Sequence, residues 1–279
     1  MTKKEATIVL FSITLCWASS YIFIKDIPQE FSTYAYLALT SGTACLILGV
    51  VFHRLFRLMN RRTLAYGTIL ALLITGNMLF EKLGLDRIPA SAASAFASSN
   101  IIIVPLFLIL AKKYPSRNHI AGILIIIIGI AVNSTFSMQG SNLTGTLYML
   151  GSCVMMSLYT IMAAEYTKKE NPMLLTVLQL GITSVIGFVL WFATEPDPLG
   201  GIVWSRDVIS YILILAFFSK AYAYSMLMYA EKYADAITVT VVAATEPVVT
   251  LLMAVLLPNT AGTTELFSVR SLEIGRAHV

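Results

Sequence analysis

The chain has 279 residues, of which 57% are hydrophobic and only 12% are charged, and its mean hydropathy is +0.79. Because soluble domains contain about a quarter charged residues, this composition excludes an ordinary soluble fold. The net charge of +4 comes with no basic cluster interleaved with aromatic residues, which argues against a nucleic-acid partner.

Nine apolar segments approach the roughly 20 residues that a helix needs to span the hydrocarbon of a bilayer. The predicted spans are 6–24, 32–52, 63–84, 90–110, 118–132, 145–163, 172–192, 208–228 and 236–257. The fifth is short for a span unless it continues to Phe136. The sequence therefore predicts an all-α polytopic membrane protein without a separate soluble domain.

The two halves of the chain resemble each other. The paired positions are 86–90 with 231–235, 19–21 with 157–159, and Gly42 with Gly181. Five spans separate the start of one copy from the start of the next, and an odd number places the second copy upside down in the bilayer. Two inverted five-helix repeats are typical of secondary transporters whose site lies near the midplane. We predict the first repeat at 1–140 and the second at 141–272.

The placement of lysine and arginine predicts the orientation of the chain. With the N-terminus inside, twelve of these residues fall on the cytoplasmic side and four on the other. The cytoplasmic set is Lys3, Lys4, Arg54, Arg57, Arg61, Arg62, Lys112, Lys113, Arg117, Lys168, Lys169 and Lys232; the opposite set is Lys25, Lys82, Arg87 and Arg206. We expect a multi-pass inner-membrane protein with a cytoplasmic N-terminus.

Motifs for enzymatic chemistry are missing from the sequence. It contains no Gly-Lys-Ser/Thr of a phosphate-binding loop and no Gly-x-Ser-x-Gly nucleophile elbow. His53, His119 and His278 are scattered, so a histidine metal site is not expected. The prediction is a protein that is not an enzyme, holds no cofactor or metal, and draws energy from a gradient.

Two ionisable residues lie deep in predicted spans, where charges usually face protein or water. Lys220 is about 18 Å and Glu246 about 16 Å from the same membrane face, at a rise of roughly 1.5 Å per residue. The two spans form a hairpin, so the side chains are expected to meet. The sequence leaves open whether they form a structural ion pair or line a cavity and exchange partners with substrate or a proton.

Seven further polar or aromatic residues at depth are candidates for substrate binding. They are Trp17 and Asn100 near half depth, and Tyr21, Asn77, Tyr159, Gln179 and Tyr222 at shallower levels. The alternative for Asn and Gln is interhelical hydrogen bonding, and for the aromatic residues it is packing or an interfacial position. Pro105 and Pro247 lie well inside their spans, where proline favours a kink, so we predict hinges there.

Several short stretches resemble the drug/metabolite transporter superfamily, and most nearly its EamA-domain permeases. They are the patch 17–20 ending in Lys25, the small-residue run 91–93 leading to Val104-Pro105, and Thr245-Glu246-Pro247. The resemblance covers residues 6–257. It implies ten helices in two inverted repeats and the export or exchange of small metabolites, frequently amino acids or aromatic compounds.

Two departures from the family pattern bear on function. Glu246-Pro247 matches the Glu-Pro of the second repeat, whereas the first repeat has Val104-Pro105 there and lacks the acid. Thr40 stands where the family often has an arginine early in its second helix, which puts any substrate inference from that arginine in doubt.

The end of the chain contains no further long apolar run after Leu257. Residues 274–279 look like one reading frame of a sequencing adapter, so we expect 273–279 to be a non-native tail and the tenth helix to be missing. The alternative is a genuine polar tail.

The predicted function is a secondary transporter, and specifically an exporter, of small metabolites such as amino acids by alternating access. Its expected partners are a small-molecule substrate, the lipid bilayer, and a proton or an exchanged metabolite. Two alternatives remain at this point. One is a lipid-linked-sugar or nucleotide-sugar translocator of the same fold, which is expected to need more than one cation in its cavity. The other is a non-transporting membrane scaffold subunit.

Overall fold

A computed structural model of the chain describes residues 3–27, 31–114, 120, 124, 143–200, 202 and 204–250. Across these ranges the regular secondary structure is entirely helical. The helices are α1 Lys3–Asp26, α2 Thr33–Val51, α3 Arg61–Leu85, α4 Ala90–Ala97, α5 Asn100–Leu110, α6 Leu143–Tyr166, α7 Pro172–Thr194, α8 Arg206–Glu231 and α9 Ala236–Ala243. A short 3-10 helix, His53–Leu58, follows α2.

The predicted spans agree well with these helices. Five helices are long and apolar enough to cross a membrane, namely α2, α3, α6, α7 and α8, and two shorter apolar stretches are Asn100–Leu110 and Ala236–Thr250. The all-α polytopic class is thus confirmed. The fifth predicted span (apart from residues 120 and 124), the end of the ninth and the predicted tail lie outside the described residues.

Polar side chains at the helix starts explain why several helices begin where they do. The side-chain oxygens of Ser32, Asn60 and Asn171 each accept hydrogen bonds from two backbone N–H groups of the helix that follows. Such caps satisfy N–H groups that have no partner within the helix. The interfacial ends of α2, α3 and α7 are therefore fixed by local sequence.

Two helices are interrupted in the same way. α4 ends at Ala97 and α5 starts at Asn100, while α9 ends at Ala243 and helix resumes over 246–250. At both breaks the backbone tightens: the N–H of Ser99 donates to the carbonyl of Phe96, and that of Thr245 to Val242, each three residues back. Each break comes after an eight-residue helix. The two spans are thus discontinuous at matching positions.

Neither break lies at a proline, and the hinges at Pro105 and Pro247 remain predictions. Pro105 is buried inside α5, six residues after Ser99, and Pro247 lies in the first turn after the second break. A proline in a first turn costs little, because the N–H group that it lacks would have no helical partner there. The interruptions coincide instead with small residues that accept a tight turn.

α8 carries a different irregularity, a π-helical segment at Leu215–Tyr222. Such wide turns are rare and often occur at functional sites. The indole Nε1–H of Trp17 in α1 donates to the carbonyl oxygen of Ser219 within this segment, at 3.3 Å. The tightly wound and widened regions of the bundle therefore lie on helices that also carry candidate site residues.

Contacts between the halves hold the bundle together. α2 packs along α7, α3 along α6, and α1 along α8. The α2–α7 contact is close: a Cβ atom at Gly187 would lie 2.7 Å from the backbone nitrogen of Ala38, and one at Gly42 would lie 2.6 Å from the Oγ of Ser184. Small residues that let helix backbones approach are characteristic of membrane bundles.

Candidate functional site

A polar cavity lies in the middle of the bundle, between α1, α3, α6, α8 and the two interrupted helices. Its volume is about 60 Å³, which is room for a few water molecules at about 10–15 Å³ each. The breaks themselves reach the cavity, because Ser98 and Asn100 line it from one side and Ala244 and Glu246 from the other. Both halves of the chain therefore build one shared site.

Three lysine or glutamate side chains line this cavity: Glu81 from α3, Lys220 from α8, and Glu246. Lys220 is 2% exposed and Glu246 is 6% exposed, whereas Glu81 is half-buried. The Lys220 Nζ lies 5.4 Å from the ring centre of Tyr36 and 5.7 Å from that of Tyr224. Aromatic faces at this distance stabilise an ammonium group. The site thus combines one cation, two acids and aromatic rings.

The carboxylate that acts on Lys220 is Glu81, and Glu246 in turn is close enough to be affected by Glu81. Among the described residues, no nitrogen–oxygen contact of 4.0 Å or less joins Lys220 to an acid. Of the two alternatives that the sequence left open, a direct Lys220–Glu246 ion pair is not found, and both residues line the cavity. Counting residues along two helices gives matching depths but says nothing about the direction in which each side chain points.

Glu81 is the site residue that sequence reasoning missed. It lies near the end of α3 beside Lys82, which pairs with Asp86 four residues later. The signal was present, because neighbouring helical residues point about 100° apart. Pairing Lys82 with the acid one turn ahead leaves Glu81 to face another side of the helix, toward the cavity.

Neutral polar groups complete the lining. The hydroxyl of Tyr21 lies close enough to Glu81 to donate a hydrogen bond to its carboxylate. The Nδ2 of Asn77 donates to the Oγ of Ser152 at 2.8 Å, and the Oγ of Ser157 donates to the Oδ1 of Asn100 at 3.0 Å. Both amides therefore form interhelical hydrogen bonds to α6 and also border the cavity.

Six of the nine predicted binding residues line the cavity: Trp17, Tyr21, Asn77, Asn100, Lys220 and Glu246. The other three lie elsewhere. Tyr159 and Gln179 are fully buried and hydrogen-bonded to each other at 3.0 Å. Tyr222 is 37% exposed, with its hydroxyl 2.9 Å from that of Ser12.

The position of Tyr222 follows from helix geometry. Residues two apart on a helix point in nearly opposite directions, whereas residues four apart share a face. Tyr224, four residues after Lys220, therefore lines the cavity, and its ring centre lies 5.6 Å from that of Trp17. Tyr224 replaces Tyr222 as the aromatic residue that α8 contributes.

Comparison with known proteins agrees with this architecture. The profile of the EamA-like transporter family matches the chain twice, at residues 5–135 and 143–267. The chain belongs to the EamA-like transporter family. A solved structure titled "Crystal structure of protein" has the same fold, with a TM-score of 0.72 and 17% identity, over 98% of this chain and 95% of that one. No curated protein matches.

Membership of the EamA family, within the drug/metabolite transporter superfamily, makes this a multi-helix membrane transporter of small molecules. The structure also refines how the two EamA repeats correspond. Asn100 lies ten residues after the start of α4 at Ala90, and Glu246 lies ten residues after the start of α9 at Ala236. By this count Asn100, and not Val104, stands opposite Glu246. The first repeat thus has an amide where the second has an acid.

Proposed function

We propose that the protein is a secondary transporter that exports small amphiphilic metabolites such as amino acids across the cytoplasmic membrane by alternating access. The observation that carries this proposal is that Glu81, Lys220 and Glu246, the last two of them buried, line one cavity shared by both halves. Charges at this depth are costly unless they face protein or water, and they commonly mark a transport pathway. The predicted repeat bounds and cytoplasmic N-terminus form part of the proposal.

Each end of an amino acid finds a complementary group in this cavity. The ammonium of Lys220 suits a substrate carboxylate, since hydrogen bonds between charged groups are the strong ones. The two carboxylates, Glu81 and Glu246, suit a substrate ammonium. Trp17 and Tyr224 offer aromatic faces to an apolar side chain. The cavity volume requires the helices to separate before such a molecule can enter, as alternating access implies.

The charge balance of the cavity also suggests how transport is coupled. If all three groups are ionised, two negative charges face one positive charge, and the site lacks one cation. A proton on Glu246 neutralises this excess in the absence of substrate. An amino acid brings one ammonium and one carboxylate and leaves the net charge unchanged, but its ammonium pairs with an acid while its carboxylate pairs with Lys220. Proton and substrate then compete for the same acids, which is the basis of exchange.

The sugar-translocator alternative fits the cavity less well. A diphosphate carries at least two negative charges and calls for several cationic donors. Lys220 is the sole lysine or arginine among the described residues that line the cavity. A zwitterion with one carboxylate matches this single ammonium better.

The test is transport by the full-length protein reconstituted in vesicles, with a panel of radiolabelled amino acids. Loss of one charge-assisted contact costs about 1.5–3 kcal/mol, so Lys220→Ala and Glu246→Gln should each lower transport by about tenfold or more. Lys82→Ala is the matched control, because Lys82 is also 2% exposed but lies outside the cavity and pairs with Asp86.

The results separate the possible functions. Normal transport by folded Lys220→Ala and Glu246→Gln proteins would refute the central site. Changes in stability or partner binding without flux of any tested compound by the parent would favour a scaffold. Preferential transport of a nucleotide sugar over every amino acid would favour the translocator.

A further inference from the structure

A further acid, outside the lining of the central cavity, is also buried. Glu231 is the last residue of α8, is 0% exposed, and has no hydrogen-bond partner at either carboxylate oxygen. None of the ion pairs within the described chain includes it. Burying an ionised carboxylate without a cation or a donor costs several kcal/mol, and such a group normally neutralises itself. The site is thus built for an acid that holds a proton.

Neither carboxylate oxygen of Glu231 accepts a hydrogen bond. The group that it affects electrostatically is the hydroxyl of Tyr159 in α6. That hydroxyl accepts a hydrogen bond from the Nε2 of Gln179 in α7, and the Oε1 of Gln179 is itself buried without a partner. Three acceptor oxygens without a donor therefore flank Tyr159, and a proton on Glu231 turns one of them into a donor.

Among the side chains that the structure describes, no charged group forms an ion pair with Glu231. α7 contains no ionisable residue. In α1 the described acid Glu5 acts on Tyr229, two residues before the end of α8. Beyond Glu231 the chain turns outward, and the exposed Lys232 borders a surface cavity together with Lys168, Lys169 and Glu170. These lysines face solvent and form no ion pair with Glu231.

The cluster also connects to the central cavity. The ring of Tyr159 meets the ring of Tyr224 edge-on, with centres 6.2 Å apart, and Tyr224 lines the cavity. Tyr159 and Tyr21 occupy equivalent positions in the two repeats, and Tyr21 faces Glu81 as Tyr159 faces Glu231. In each half, therefore, a glutamate of the third helix acts electrostatically on a tyrosine of the first helix.

We propose that Glu231 is a proton-binding site on the cytoplasmic side of the cavity, through which the proton exchanged for substrate leaves the protein. This inference rests on the proposed transport function. A proton that enters from outside binds the cavity acids, passes inward as the helices rearrange, and forms an O–H bond with one Glu231 oxygen. That bond breaks when the end of α8 opens, and the proton passes to cytoplasmic water.

A first experiment needs no substrate. Infrared difference spectra between acidic and alkaline buffer are recorded on the full-length protein in vesicles. We expect a carbonyl band of a protonated carboxyl group that is lost in Glu231→Gln, kept in Glu231→Asp, and unchanged in Glu165→Gln. Glu165 is the matched control, a 44% exposed acid at the end of α6 that pairs with Lys113. An unchanged band in Glu231→Gln overturns the proton site whether or not the protein transports amino acids.

A second experiment tests coupling with the radiolabelled amino-acid panel. We expect Glu231→Gln to lose accumulation driven by a pH gradient and to keep exchange of labelled for unlabelled amino acid at equal pH. Retention of both activities, or loss of both in a folded variant, contradicts the proposed role of Glu231. If the parent moves no amino acid, the proposed function fails, and the infrared result still decides whether Glu231 binds a proton.

Discussion

The pairing of Lys220 with Glu81 can be tested by a double-mutant cycle. Lys220→Met keeps an unbranched side chain but removes the ammonium, and leaves Glu81 buried without its cation. If Glu81 is the acid that Lys220 balances, then Glu81→Gln in the same chain should recover much of the lost stability. Glu246→Gln should recover less, because Lys220 acts on Glu81 and not on Glu246.

The expected size follows from the contacts that are lost. Removing one member of a directly bonded buried ion pair costs about 3–5 kcal/mol. Lys220 and Glu81 make no contact of 4.0 Å or less, so the attraction between them is worth less than that. The two ring contacts of Lys220, with Tyr36 and Tyr224, are worth about 0.5–2 kcal/mol each and are lost as well. Lys220→Met also removes the cost of burying an ammonium group, which offsets part of this loss. We therefore expect Lys220→Met to destabilise by about 1–3 kcal/mol, and the coupling with Glu81→Gln to be about 0.5–2 kcal/mol.

Thermal unfolding of the purified protein in detergent measures these differences. For a chain of this size each kcal/mol corresponds to about 2–4 °C in Tm. The reasoning is refuted if Glu246→Gln rescues Lys220→Met as well as Glu81→Gln does, or if neither change rescues it.

Two further predictions concern packing and the π-helical segment. Gly187→Ala should destabilise the protein by about 1–3 kcal/mol, because its new methyl group meets the α2 backbone. Gly49→Ala is the control, since a Cβ atom there has nothing within 4 Å. Equal Tm values for the two variants would contradict the close contact at Gly187. Trp17→Phe should cost about 1–3 kcal/mol by leaving the Ser219 carbonyl without its donor. Trp204→Phe, at a 45% exposed position, should leave the Tm unchanged, and equal losses in both would argue against the Trp17 hydrogen bond.

The sequence predicted the helices well because hydrophobic length is a one-dimensional property. The ends of α3 and α7, for example, agree with the predicted spans 63–84 and 172–192 within two residues. The breaks were not predicted, because the tight turn at Ser98–Ser99 depends on backbone bonds that small residues merely permit, whereas a sequence shows only the prolines, which lie elsewhere. The positions and lengths of the helices were thus predictable from the sequence, whereas the breaks within them were not.

The candidate site was partly predictable for a related reason. Depth along a helix identified Lys220 and Glu246, but rotation about the helix axis decides which groups meet. The rotation of α8 places Tyr224 in the cavity lining and leaves Tyr222 outside it, and the rotation of α3 directs Glu81 toward the cavity that Lys220 lines. A helical-wheel comparison of Tyr222 with Tyr224 would have found part of this. The partner of Lys220 depended on how α3 is rotated in the assembled bundle, which the sequence of α3 alone does not specify.

The widened turns of α8 set where this helix can change its length over generations. One residue inserted or deleted in its regular α-helical turns would rotate everything beyond by about 100°. Such an event would carry Glu231 away from its neighbours, even though every side chain was still present. Within Leu215–Tyr222, by contrast, the loss of one residue can be taken up locally if i→i+5 bonding gives way to the i→i+4 bonding of the flanking turns.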